Sequence, residues 1–81
     1  MKRVEYSKIA RAVLDRMQPK RRAAIRSKVD AFARGDVVDV KKLSGSKLLR
    51  ICVGDDRVLI DEEAALVLVV KVGPRGSIYK E

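Results

Sequence analysis

The chain has 81 residues, 47% hydrophobic and 37% charged, with 19 Lys/Arg against 11 Asp/Glu and a net charge of +8. Such a composition fits one small, folded, soluble domain over residues 1–81 and excludes a disordered chain, while the charge asks for an anionic partner: nucleic acid, an acidic protein or an anionic membrane. One cysteine and no histidine exclude an internal disulfide, remove the commonest general acid–base and leave no zinc ligand set, so neither a cofactor nor a metal is expected.

Residues 1–35 carry eleven Lys/Arg against three Asp/Glu, whereas residues 36–81 carry eight of each. The first part therefore supplies the whole net field, and the second places its cations singly. MKRVEYSKIA has no signal-peptide character, and the longest apolar run, Ala64–Val70, is too short to span a bilayer. A cytoplasmic protein without a membrane partner is expected.

In chain order, Lys2–Tyr6 alternates, with Val4 and Tyr6 on one side, and predicts a short edge strand. Ser7 is a candidate N-cap for a helix whose buried stripe is Ile9, Val13 and Met17, with Ala10 and Leu14 beside them. Pro19 ends that helix and suits the first turn of a second, which runs to about Ala33 and stops at Gly35. Ile25, Val29 and Phe32 form its apolar stripe, and Ala24 would let the two helices approach closely. Lys20, Arg21, Arg22, Arg26 and Lys28 crowd its first turns, against the helix dipole. That placement suggests either use in binding or a merely solvated face.

Asp36–Ser46 reads as a connector, with Val37, Val38 and Val40 tucked under a sheet and Ser44-Gly45-Ser46 as a turn. Leu49, Ile51 and Val53 then alternate with Leu48, Arg50 and Cys52. Gly54-Asp55-Asp56 signals a tight hairpin, after which Val58 and Ile60 point opposite to Arg57 and Leu59. Ala65–Val72 is a nearly continuous apolar run, as a central strand covered on both faces would show, and Gly73-Pro74 is expected to break it.

The expected fold is α+β: a short N-terminal strand, a two-helix hairpin, then a three-stranded antiparallel meander with the helices on one sheet face. Such a sheet could gather Arg50, Arg57, Arg75 and Tyr79 onto a common concave surface, with Lys71 a further single cation of the same stretch. Against that stands a structural reading, in which Arg50 and Arg57 pair with Asp55, Asp56 or Asp61 and Tyr79 packs its ring on the sheet. Cys52 reads as a small buried or half-buried filler.

The order of these elements, with Lys42-Leu43-Ser44-Gly45, the stretch Arg50-Ile51-Cys52-Val53-Gly54-Asp55-Asp56-Arg57-Val58, and Gly73-Pro74-Arg75 followed by Tyr79, resembles the RelE/ParE superfamily of toxins from bacterial and archaeal type II toxin–antitoxin pairs. The resemblance covers essentially the full length, and its weight lies in three motifs in order after two helices.

It implies an endoribonuclease that cuts mRNA in the ribosomal A site by attack of the ribose 2′-OH on its own 3′-phosphate, chemistry that can run without a metal. Carried over by position, Arg50 falls where the RelE branch has a Lys or Arg on the catalytic face. Arg57 falls on the arginine that stabilises the scissile phosphate. Arg75 matches the arginine after the late strand, and Tyr79 the C-terminal tyrosine that stacks on a base or helps move a proton. Lys20, Arg21, Arg22, Arg26, Lys41, Lys42 and Lys71 would bind ribosome and RNA. The implied partners are the ribosome, mRNA and a cognate acidic, RelB-like antitoxin.

Three departures bear on activity. Cys52 stands where the family usually has a second cation. Asp56 replaces a tyrosine and would set a negative charge beside the phosphate site. Pro74 replaces the common histidine. They keep two alternatives open: a ParE-like inhibitor of DNA gyrase without nuclease activity, and a catalytically degenerate RNA-binding module.

Overall fold

A computed structural model describes residues 1–74. Its elements are β1 (Arg3–Tyr6), α1 (Lys8–Arg16), α2 (Pro19–Arg34), β2 (Val40–Lys42), β3 (Leu49–Val53), β4 (Asp56–Glu62) and β5 (Leu66–Pro74). Each helix begins and ends where local chemistry supplies a cap. Ser7 is extended, and its hydroxyl accepts the Ala10 N–H at 3.0 Å, satisfying one of the amides that open α1. Pro19 opens α2, where its missing N–H has no intrahelical bond to lose. Gly35, at φ 91°, closes α2 in the left-handed region, and its N–H reaches the Phe32 carbonyl at 3.0 Å.

The strands form one five-stranded mixed sheet in the order β1-β5-β4-β3-β2, with β1 parallel to β5 and the other pairs antiparallel. The expected α+β architecture holds, with one strand more than expected. Val40–Lys42, read as part of a connector, pairs with β3 as an edge strand. Three residues are too few for alternation to register in the sequence. Within that stretch Val40 packs against the core, while Val37 is fully exposed rather than tucked under the sheet. Nor do Gly73 and Pro74 break β5. Gly73 pairs with Arg57 and Pro74 with Asp56, and at the strand's last residue the proline's missing donor is tolerated.

Both helices cover the same sheet face. Ala10, Leu14 and Met17 of the first helix and its C-cap, and Ile25, Val29 and Ala33 of α2, meet Ile51, Val53, Val58, Ile60, Val67, Val69 and Val72 in one buried cluster. The stripe of α1 is thus centred on positions 10, 14 and 17. Ile9 lies about 100° away around so short a helix and is 65% exposed, not buried as expected. Ala24 is also exposed. It does not receive α1 but lines a groove of about 600 Å³ between the start of α2 and the β3–β4 turn. Among the described residues, no helix is long and apolar enough to cross a membrane.

Candidate nucleic-acid interface

Alternation along β3 and β4 divides their side chains between two faces. Ile51 opposite Val58, and Leu49 opposite Ile60, belong to the helix-covered face. Arg50 opposite Leu59, and Cys52 opposite Arg57, therefore belong to the other. On that second face the register aligns a single cross-strand row: Lys41 of β2, Arg50 of β3, Leu59 of β4 and Lys71 of β5. At about 4.8 Å between strands the row spans roughly 14 Å. Arg57 lies in the adjacent row, between half-buried Cys52 and Gly73. Leu59, only 6% exposed yet outside the buried cluster, sits at the centre of this cationic row.

Lys71 reaches this face because β5 is irregular. Val67 and Val69 face the helices, and strict alternation would send residue 71 there too. The register shifts instead, from Ile60 opposite Val69 to Leu59 opposite Lys71, so that Val70 is the extra residue of a bulge. Beyond it Val72 turns inward and Lys71 outward. The Val70 carbonyl accepts a hydrogen bond from the Ser7 hydroxyl at 2.7 Å. One serine thus caps α1 and secures the irregularity that presents Lys71.

Two acidic residues of β4, Asp56 and Asp61, have cationic partners outside this row. Asp56 is the first residue of β4 and pairs with Val53 across the Gly54-Asp55 turn, so its side chain lies on the helix side, opposite to Arg57. It is 4% exposed and receives Arg21 in a two-pronged contact, Nε to Oδ2 at 3.1 Å and Nη2 to Oδ1 at 2.5 Å. The Asp56 charge expected beside the phosphate site is therefore on the other side of the sheet and compensated. Asp61 pairs with Lys47 at 3.2 Å. Arg57 donates from Nη1 to the Asp56 main-chain carbonyl at 3.2 Å.

Arg21, Arg22 and Arg26 of α2 also have internal partners. Arg21 holds Asp56, and the hydrogen bond and charge of that carboxylate push the guanidinium pKa further up. Arg22 donates from Nη1 to the Leu14 carbonyl at 3.1 Å, satisfying a carbonyl in the last turn of α1. Arg26 lies over the Tyr6 ring, 5.1 Å from its centroid. Burial pushes the Tyr6 phenol above its ordinary pKa, with Arg26 opposing the shift and Asp30 adding to it.

Of the residues singled out from sequence, Lys41, Arg50, Arg57 and Lys71 come together on the helix-free face. Lys42, opposite Leu49, belongs to the helix-side row, and Lys20, Arg21, Arg22 and Arg26 lie on α2. Arg75 and Tyr79 lie outside the described residues. Sequence reasoning missed Leu59 as the centre of the row, the Arg21–Asp56 pair, and Ser7 as the support of the bulge. Only Leu59 had a signal, its alternation with Val58 and Ile60.

No family model matches the chain, and no curated protein matches it. Solved structures do. A chain of the archaeal RelE–RelB complex from Pyrococcus horikoshii is 24% identical, superimposes with a TM-score of 0.73, and the match covers 94% of this chain and 97% of that one. For the RelB–RelE antitoxin–toxin complex from Methanococcus jannaschii the identity is 23%, the TM-score 0.74 and the coverages 91% and 93%. For the RelBE2 toxin–antitoxin complex from Mycobacterium tuberculosis they are 21%, 0.75, and 91% and 98%. Across nearly its whole length, this chain has the RelE fold.

Proposed function

We propose that the chain is the toxin of a type II toxin–antitoxin pair and acts as a ribosome-dependent mRNA endonuclease. The observation that carries this reading is the row Lys41–Arg50–Leu59–Lys71 on the helix-free sheet face, with Arg57 one row away. A line of cations suits a single strand, whose phosphates follow the charges. The RelE fold, seen in solved complexes of RelE with RelB, supports both the activity and an acidic antitoxin as the partner that covers this face.

The step is an in-line transfer. The ribose 2′-oxygen passes its proton to water and bonds to the adjacent phosphorus. The bond from phosphorus to the 5′-oxygen breaks, and that oxygen takes a proton, leaving a 2′,3′-cyclic phosphate and a 5′-hydroxyl. Arg57 stabilises the phosphorane charge through its planar fork of donors, while Arg50, Lys71 and Lys41 hold the flanking backbone. An arginine is too weak an acid to supply the proton. That role falls to Tyr79, and a second phosphate contact to Arg75, as the family resemblance implies.

Induced expression with primer extension on a reporter mRNA tests the reading. New 5′ ends in phase with codons, abolished by Arg57→Ala and relieved by an acidic antitoxin, are expected. Growth arrest with intact mRNA and trapped DNA-cleavage complexes would replace the ribonuclease with a gyrase inhibitor. No arrest, with salt-sensitive RNA binding, would leave a binding module.

A further inference from the structure

We infer that Arg21 and Asp56 are positioning residues for Arg57, an ion pair that fixes the end of the sheet from which the phosphate-binding guanidinium projects. This inference deepens the ribonuclease reading and rests on it for its catalytic consequence, though not for its geometry. Asp56 closes the two-residue Gly54-Asp55 turn, where strands fray most readily, and is joined there to three elements. It pairs with Val53 of β3 and Pro74 of β5 in the sheet, and with Arg21 in the first turn of α2 through its carboxylate. Its own carbonyl accepts Arg57 Nη1. One residue therefore holds the helix layer with its side chain and the proposed catalytic cation with its main chain, on opposite faces of the strand.

A buried carboxylate keeps its place only while its charge is compensated. Without Arg21, the carboxylate gains most by turning out to water. Because Asp56 lies at the hairpin end, that movement rotates its peptide group and takes the Arg57 anchor with it. The two-pronged contact fixes orientation as well as distance, which a lysine at position 21 cannot reproduce. The pair joins residues 35 apart in sequence, so it also sets α2 against the hairpin that bears Arg57.

The test uses the full chain. The Arg57 side-chain Nε–Hε resonance, assigned by its loss in Arg57→Lys, is followed in ¹⁵N-labelled wild type, Arg21→Gln, Arg21→Lys and Asp56→Asn. Single-turnover cleavage on programmed ribosomes is measured in parallel. The expected result is an Arg57 signal distinct from exposed arginines in the wild type that joins them in all three variants. The cleavage rate would fall about 10-fold or more while half-saturation changes less than 2-fold, as loss of an oriented transition-state contact predicts. Combining Arg21→Gln with Asp56→Asn should add little to either alone. An unmoved Arg57 resonance in variants with an intact amide spectrum would overturn the inference, as would wild-type rates per folded molecule. If the wild type leaves mRNA intact, the ribonuclease reading fails, and the Arg57 resonance decides the positioning role by itself.

Discussion

On α2, Arg21, Arg22 and Arg26 are spent on the fold: a buried carboxylate, a helix-end carbonyl and a tyrosine ring. On the helix-free face of the sheet, Lys41, Arg50 and Lys71 are set in register around one leucine, with Arg57 beside them. The first region belongs to residues 1–35, which carry the whole net charge, and the second to a neutral half. Net charge therefore marks where cations are numerous, and register marks where they act together. Long-range attraction of an anionic partner draws on the sum, but holding one phosphate against another depends on the row.

The contrast is sharpest along β4, whose neighbouring residues serve the two faces. Ile60 is fully buried among the helices and strands, so Ile60→Ala should destabilise by about 2–5 kcal/mol, lost transfer energy plus a cavity. Chemical denaturation measures it. A cost under about 1 kcal/mol would mean that the core can collapse around the gap. Arg57→Ala should do the reverse, leaving the denaturation midpoint nearly unchanged while slowing mRNA cleavage by about 10²–10³-fold, the loss typical of one transition-state charge stabiliser. Lys28→Ala, on the exposed side of α2, is the control and should change stability by no more than about 0.5 kcal/mol. If it matched the effect of Arg57→Ala on cleavage, charge number would govern and the comparison between regions would fail.

Ser7 connects the two regions. Ser7→Ala removes the α1 cap and the donor to the Val70 carbonyl together. Its stability cost should be about 1 kcal/mol, the usual value of a cap. A further weakening of RNA binding, equal to that of Lys71→Ala and absent from the Ser7→Ala, Lys71→Ala pair, is expected if the bulge is what presents Lys71. Additive losses would show that Lys71 keeps its place without Ser7.

The sequence disclosed what local chemistry decides. Ser7, Pro19 and Gly35 bounded the helices, and the alternation of Arg50 with Ile51 and of Arg57 with Val58 assigned the faces of β3 and β4. It concealed what depends on distant partners. Asp56 looked like a turn residue because Gly54-Asp55-Asp56 is a turn signal, and nothing near it announces Arg21, 35 residues away. The bulge was hidden because Val69 and Val70 are both apolar, so the change of parity between them leaves no pattern. For α2, composition could offer only a bound or a solvated face. The third answer, cations used inside the fold, needed the neighbouring elements in place.

Tyr6 tests the smallest of these internal uses. Burial is the main cause that holds its phenol above its ordinary value of 10.0, and Arg26 pulls the value back down. A group whose folded pKa is raised contributes stability below its unfolded value, and that contribution is lost as pH rises from 10 through the folded value. Arg26→Ala removes the lowering influence, so the folded phenol should titrate higher still and the alkaline loss of stability should grow. Asp30→Asn removes a raising influence and should shift the titration the other way. With Tyr79→Phe as background, Tyr6 is the remaining tyrosine of the two, and tyrosinate absorbance against pH reports it directly. Since Arg26 lies over the ring, Arg26→Ala should also cost about 0.5–1 kcal/mol at neutral pH. An Arg26→Ala midpoint at or below that of the background would mean that the cation does not act on this ring in solution. Arg26 would then be available, like Lys20 and Lys28, to an anionic partner.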